Sequence, residues 1–103
     1  MLVTIARVDD VPPGTVRQVR AGGVELAVAR VGDEFFVTSG TCLHLAGPLG
    51  HGRLQGRVLS CPWHGWQYDV TTGLNEFDHA LAVETYPVQV EDGEVRVELA
   101  TRP

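Results

Sequence analysis

The sequence predicts an all-β domain, an antiparallel β-sandwich, on three observations. Short runs of β-branched and aromatic residues alternate with polar ones, glycine-containing pairs separate the runs, and no stretch carries the periodicity of a long helix. Thr15–Arg20 alternates in this way and leads through Gly22-Gly23 into Val24–Val31. Gly32-Asp33 then turns the chain into Glu34–Thr38. Near the other end, Tyr86–Val90 and Glu94–Leu99 flank Asp92-Gly93, a pair that accepts the left-handed backbone of a tight hairpin. Arg57–Cys61 and Trp66–Val70 read as two further strands, and one turn of helix is expected near Glu76–Leu81. With no repeat, linker or low-complexity segment, the 103 residues are expected to form one domain, 1–103.

Composition narrows the function. Hydrophobic residues at 44% and charged residues at 20% belong to a compact folding chain, not a disordered one. The net charge of −5 argues against nucleic acid as a partner. Residues 1–52 carry four Arg against five acidic groups, and residues 53–103 carry four Arg against eight, so the acid gathers in the second half. Such an excess serves either as a solvated face or as steering toward a basic patch on a partner. Phe35–Gly52 lacks charge for 18 residues, but its four glycines, Pro48 and two histidines rule out a lipid-exposed helix. The chain opens without a basic start and meets Asp9 and Asp10 at once, so no secretory signal and no membrane span are expected. A cytoplasmic location follows as the expectation, and there two cysteines act as metal ligands rather than as a disulfide.

The strong ligand types fall in two places. Cys42-Leu43-His44 and Cys61-Pro62-Trp63-His64 are separated by 16 residues, and each supplies one thiolate and one imidazole. Thiolate and imidazole together suit zinc, copper and iron. A closed tetrahedral zinc site would accept two of each. Common zinc fingers, however, pair Cys with Cys and His with His, whereas here each segment mixes them. A two-iron cluster takes such a set if one iron holds both cysteines and the other both histidines.

The pattern Cys-x-His, a spacer, then Cys-x-x-His resembles the Rieske domain, and its surroundings extend the likeness. Gly47-Pro48-Leu49, Gly52, the run from Cys61 to Asp69 and Thr72-Gly73 all match that family. The resemblance implies a Rieske-type sandwich with a small cluster-binding subdomain of two loops, about residues 40–69. It also implies one [2Fe–2S] cluster, with Cys42 and Cys61 on one iron and His44 and His64 on the outer one. Two Fe³⁺, two sulfides and two thiolates sum to zero charge, so such centres sit at about −150 to +300 mV, above plant-type ferredoxins at about −400 mV.

Neighbouring residues place this chain within that range. Respiratory Rieske proteins cap the cluster with a disulfide whose cysteines would fall at Gly47 and Trp63, and they carry a sulfide-bonding serine where Trp66 stands. Tyr68, two residues further on, is retained. Losing a donor to sulfur disfavours the reduced state, so a potential near the low end is expected, as in ferredoxins of bacterial aromatic-ring dioxygenase systems. The resemblance therefore implies a soluble, monomeric electron carrier and not an enzyme. Its partners would be a flavin-dependent ferredoxin reductase and a terminal oxygenase, docking transiently near His44, Pro48, Trp63 and His64. The alternative is a small cluster-bearing subunit of a larger enzyme such as nitrite reductase. His51 and His79 lie outside the ligand spacing and read as surface residues, Asp69 reads as a strand-end turn residue, and glycines 47, 50, 52 and 65 read as turn residues that let backbone N–H groups approach the sulfides.

Overall fold

The computed structural model describes residues 2–63 and 65–99. In chain order the strands are β1 (Leu2–Arg7), β2 (Val16–Ala21), β3 (Val24–Val31), β4 (Glu34–Ser39) and β5 (Arg53–Gln55). They continue as β6 (Val58–Ser60), β7 (Gln67–Asp69), β8 (Thr85–Tyr86), β9 (Val88–Glu91) and β10 (Glu94–Glu98). Among the described residues there is no α-helix, and no helix long and apolar enough to cross a membrane. Three antiparallel sheets result, ordered β1-β10-β9, β2-β3-β4-β8 and β5-β6-β7. The all-β expectation therefore holds.

The expected hairpins form where the turn chemistry placed them. Gly22 and Gly23 close β2 onto β3, and Asp92 and Gly93 close β9 onto β10, all four with positive φ. That is the backbone a two-residue hairpin turn requires.

β3 is the wall shared by two cores. Leu26 and Val28 on one face pack with Val11, Phe35, Val37, Val95, Val97 and Leu99 between the two larger sheets. Ala27 and Ala29 on the other face pack with Cys42, Leu49, Leu59, Cys61, Tyr68, Val70 and Val83. Burial on both faces makes Leu26–Ala29 a continuous buried run instead of an alternating one. The division of residues matters, because two alanines leave room for the Cys42 and Cys61 loops to come down onto the strand.

Several expectations are corrected by the structure. Tyr86–Val90 is two strands and not one: Pro87 has no N–H to donate, so Tyr86 pairs with Val37 and Val88 pairs with Val97 of a different sheet. The helical turn expected over Glu76–Leu81 is absent. The buried Asn75 side chain accepts the Phe77 and Asp78 amides at 2.8 and 3.0 Å, which favours a turn in place of the helix. Two elements carry too little local signal to be expected from sequence: β1, which pairs with β10 through a bulge between Thr4 and Ala6, and the three-residue β5.

Candidate metal centre

The small sheet β5-β6-β7 carries the two segments that hold the sequence-predicted ligands, and each folds as the same kind of ring. The Cys42 amide donates to the Gly47 carbonyl at 2.8 Å, and the Cys61 amide donates to the Trp66 carbonyl at 2.7 Å, each closing a loop onto the fifth residue ahead. Inside each ring the sulfur then accepts an amide two residues on: His44 N–H to Cys42 Sγ and Trp63 N–H to Cys61 Sγ, both at 3.4 Å. The turn in the second ring uses Gly65 at a φ of 72°. In the first ring Leu45 and Ala46 take the left-handed conformation without a glycine, at 57° and 56°. Each such residue costs about 1–2 kcal/mol, so the loop stays in place only because its surroundings hold it.

Much of that hold comes from Gln18 of β2, a residue that sequence reasoning misses. Its Nε2 donates to the Gly40 carbonyl at 3.1 Å and its Oε1 accepts the Gly50 amide at 2.6 Å, latching both ends of the first loop to the large sheet. Gly40 and Gly50 are glycines because a Cβ at either would collide with Gln18. A polar residue in an alternating strand gives no signal of such a role.

Cys42 and Cys61 are buried neighbours in one core cluster and form no disulfide. Burial pushes the Cys61 thiol up and the neighbouring Cys42 adds to this, with the Trp63 amide opposing. Two adjacent buried sulfurs cannot both be thiolates unless a cation lies against them. Tyr68 completes the thiol environment. Its hydroxyl lies 3.3 Å from Cys42 Sγ and accepts the Leu43 amide at 3.2 Å, so its own proton is free to be donated to a Cys42 sulfur that carries charge. Burial first, and then Cys42, push the Tyr68 pKa up to about 12, so this proton is retained at physiological pH.

His44 is half-buried, with Nδ1 inside, and its ring stacks on Trp66 at 4.7 Å and 11°. His64 lies outside the described residues. Among the described residues no three His, Cys, Asp or Glu side chains share a single-ion position, so the thiol pair is what this part of the set brings together. His51 and His79 are exposed, as expected of surface histidines. Asp69 ends β7, accepting the Thr71 amide and hydroxyl at 2.8 and 2.6 Å and pairing with Arg57 at 3.6 Å. Burial would raise its carboxyl, but these donors outweigh it and hold the group below its usual range.

The glycines divide by cause. Only Gly65 of the four has a positive φ; Gly47, Gly50 and Gly52 are required for close approach. A Cβ at Gly47 would lie 2.7 Å from Cys61 Sγ and 3.3 Å from Trp63 Cβ. Positions 47 and 63 thus face each other across the two loops, close to the Cβ separation of a disulfide. Neither is a cysteine here. Around them, Leu43, Leu45 and Trp63 are 50%, 66% and 49% exposed, an apolar rim in a region without charge.

A sequence profile of the Rieske [2Fe-2S] domain matches residues 1–87. The chain belongs to this family. It is 40% identical over 95 residues to the ferredoxin CarAc of Metapseudomonas resinovorans, covering 90% of this chain and 89% of that one. It is 34% identical over 98 residues to the ferredoxin component of the naphthalene 1,2-dioxygenase/salicylate 5-hydroxylase systems of a Ralstonia species, covering 94% of each. Among solved structures, the complex of reduced oxygenase and oxidized ferredoxin in carbazole 1,9a-dioxygenase contains a chain that superposes with a TM-score of 0.84 at 39% identity. The match spans 93% of this chain and 91% of that one. The group this Rieske chain carries is one [2Fe–2S] cluster. The donor set fits it: paired buried sulfurs that need a cation, amides aimed at them, and a phenol that keeps its proton for them.

Proposed function

We propose that this chain is a low-potential Rieske ferredoxin carrying single electrons from a flavin-dependent ferredoxin reductase to a terminal oxygenase. The observation that carries the reading is the pair of matched rings, which bring Cys42 and Cys61 together beneath an uncharged, half-exposed apolar rim. Cys42 and Cys61 would hold one iron, and His44 and His64 the outer one. When bound, the cluster takes up and releases one electron. The chain's own residues do the rest. The His44 and Trp63 amides and the Tyr68 hydroxyl direct positive charge at the sulfurs, Trp66 fixes the plane of the His44 ring, and the apolar rim excludes water.

Docking would be brief and centred on His44, Pro48, Trp63 and His64, since a small apolar tip suits weak redox encounters. A relative solved together with an oxygenase supports the acceptor half of the reading. We further propose a cytoplasmic monomer in which residues 1–103 form one domain, its two cores joined by β3. The alternative, a permanent subunit of a larger enzyme such as nitrite reductase, is not favoured: relatives matched over about nine-tenths of both chains include ferredoxin components of the naphthalene 1,2-dioxygenase/salicylate 5-hydroxylase and p-cumate 2,3-dioxygenase systems.

A redox titration followed by EPR tests the reading. One Rieske-type signal is expected, appearing in a single one-electron step with a midpoint below zero, toward about −150 mV. A midpoint clearly above zero overturns the low-potential assignment. Tyr68→Phe is expected to lower the midpoint further. Its lost hydrogen bond favours the electron-rich reduced state more than the oxidised one, and a difference of about 1 kcal/mol corresponds to about 40 mV for one electron. An unchanged midpoint in that variant would show that Tyr68 serves packing alone.

A further inference from the structure

The most exposed large apolar side chain among the described residues is not on the cluster loops. It is Phe77, at 75% exposure, in the turn between β7 and β8. That turn is well held. The Asn75 amide donates to Leu81 O at 2.9 Å, Leu81 N–H donates to Asp78 O at 3.0 Å, and the Glu76 amide donates to Gln67 O at 2.9 Å. Asn75 itself is 2% exposed, and its Oδ1 takes the Phe77 and Asp78 amides. Phe77 is therefore presented outward on a braced turn whose backbone is already ordered before any partner arrives.

Two further features say what it would meet. An open cleft of about 290 Å³ separates Phe77 from Trp66, lined also by Asn75, Asp78 and Leu81, and Trp66 is the ring stacked on His44. The turn is thus continuous with the ligand side chain. The flanking residues are Glu76 and Asp78, and residues 58–95 contain seven acidic groups and no Lys or Arg. Arg96 pairs with Glu91 and Glu94, and Arg57 with Asp69, whereas among the described residues Glu76 and Asp78 have no ion pair. An apolar knob between two unneutralised carboxylates complements an apolar socket with a basic rim.

We propose that the Asn75–Leu81 turn is a second docking point. Phe77 seats in an apolar socket on the redox partner, Glu76 and Asp78 pair with lysines or arginines around it, and the partner's redox group comes to rest against the Trp66–His44 stack. This rests on the electron-carrier reading and adds the residues that choose and orient the partner. One electron passes to the partner, and no atom or proton is transferred.

The test uses the cluster-loaded protein with ferric cytochrome c, a basic electron acceptor, as the probe. Second-order reduction rates are measured against ionic strength for the parent, Phe77→Ala, Glu76→Gln/Asp78→Asn and Glu91→Gln/Asp92→Asn. The last variant makes the same change in net charge at the far hairpin. Carbodiimide cross-linking and peptide mapping then locate the carboxylates that face the cytochrome. The expected result is a rate about five- to tenfold lower for Phe77→Ala. Glu76→Gln/Asp78→Asn flattens the salt dependence more than its charge-matched control, and cross-links fall on Glu76 and Asp78. A Phe77→Ala rate within twofold of the parent overturns the proposal, as do cross-links confined to Glu91, Asp92 and Glu94. A dimer that Phe77→Ala makes monomeric without slowing the cytochrome overturns it too, because Phe77 then seats a second copy. If the reduced parent passes no electron at all, the carrier reading fails instead, and the cross-links still report on the surface.

Discussion

Replacing Cys61 by serine is expected to yield a colourless protein without iron, sulfide or a Rieske EPR signal, and Cys42→Ser the same. Serine is nearly isosteric, so the loop itself tolerates the change. What it removes is a soft anionic ligand: a serine hydroxyl stays protonated where a cysteine thiol ionises against a metal. The structure makes the loss complete. Cys42 and Cys61 lie against each other in an apolar core with Ala27, Ala29, Leu49 and Leu59, and no third thiol exists in the chain to substitute. Stability should fall as well, because ligation in the folded state is folding free energy that the apo chain lacks. His51→Ala is the matched control. His51 is exposed and outside the ligand spacing, so that variant keeps its colour and iron content. Iron analysis, the visible spectrum and EPR on the three variants decide the matter; a full cluster in either serine variant would remove that cysteine from the ligand set.

Legibility in the sequence follows the range of the interactions. Hairpins closed by Gly22-Gly23 and Asp92-Gly93 are readable because each turn directly joins the two strands that pair across it. The ligand set is readable because Cys and His at these spacings have few other uses. What cannot be read depends on contacts between distant segments. β1 is a strand because β10, at the other end of the chain, supplies its partner. Gln18 looks like an ordinary solvent-facing residue until Gly40 and Gly50 are folded against it. Leu45 and Ala46 carry no sign of left-handed backbone, since neither is a glycine or an asparagine. Local propensity after Asn75 favours a helical turn, and a buried side-chain amide overrides it.

Gly52→Ala is expected to destabilise the protein by about 3 kcal/mol or more, and by much more than Gly56→Ala. The two glycines fail for different reasons. Gly56 has a φ of 60° with nothing within 4 Å of where an alanine methyl would sit, so alanine there meets only the backbone penalty of about 1 kcal/mol. Gly52 has a φ of −81°, which any residue adopts, but its Cβ would collide with the Ser60 carbonyl oxygen. That oxygen is part of the β5-β6 ladder, where Arg53 pairs with Ser60, so it cannot move without opening the strand pair. Ser60 also precedes Cys61 directly, and a shift there displaces the thiol from its partner Cys42 and from the Trp63 amide. The damage therefore reaches the metal centre. For a domain of this size, a loss of about 3 kcal/mol corresponds to a fall of at least about 12 °C in Tm. Thermal unfolding monitored both by circular dichroism and by cluster absorbance should show the Gly52 variant losing cluster and fold together at the lower temperature. The Gly56 variant should lose both within a few degrees of the parent. Equal losses in the two variants would mean that backbone conformation, and not the close approach at Ser60, governs both positions.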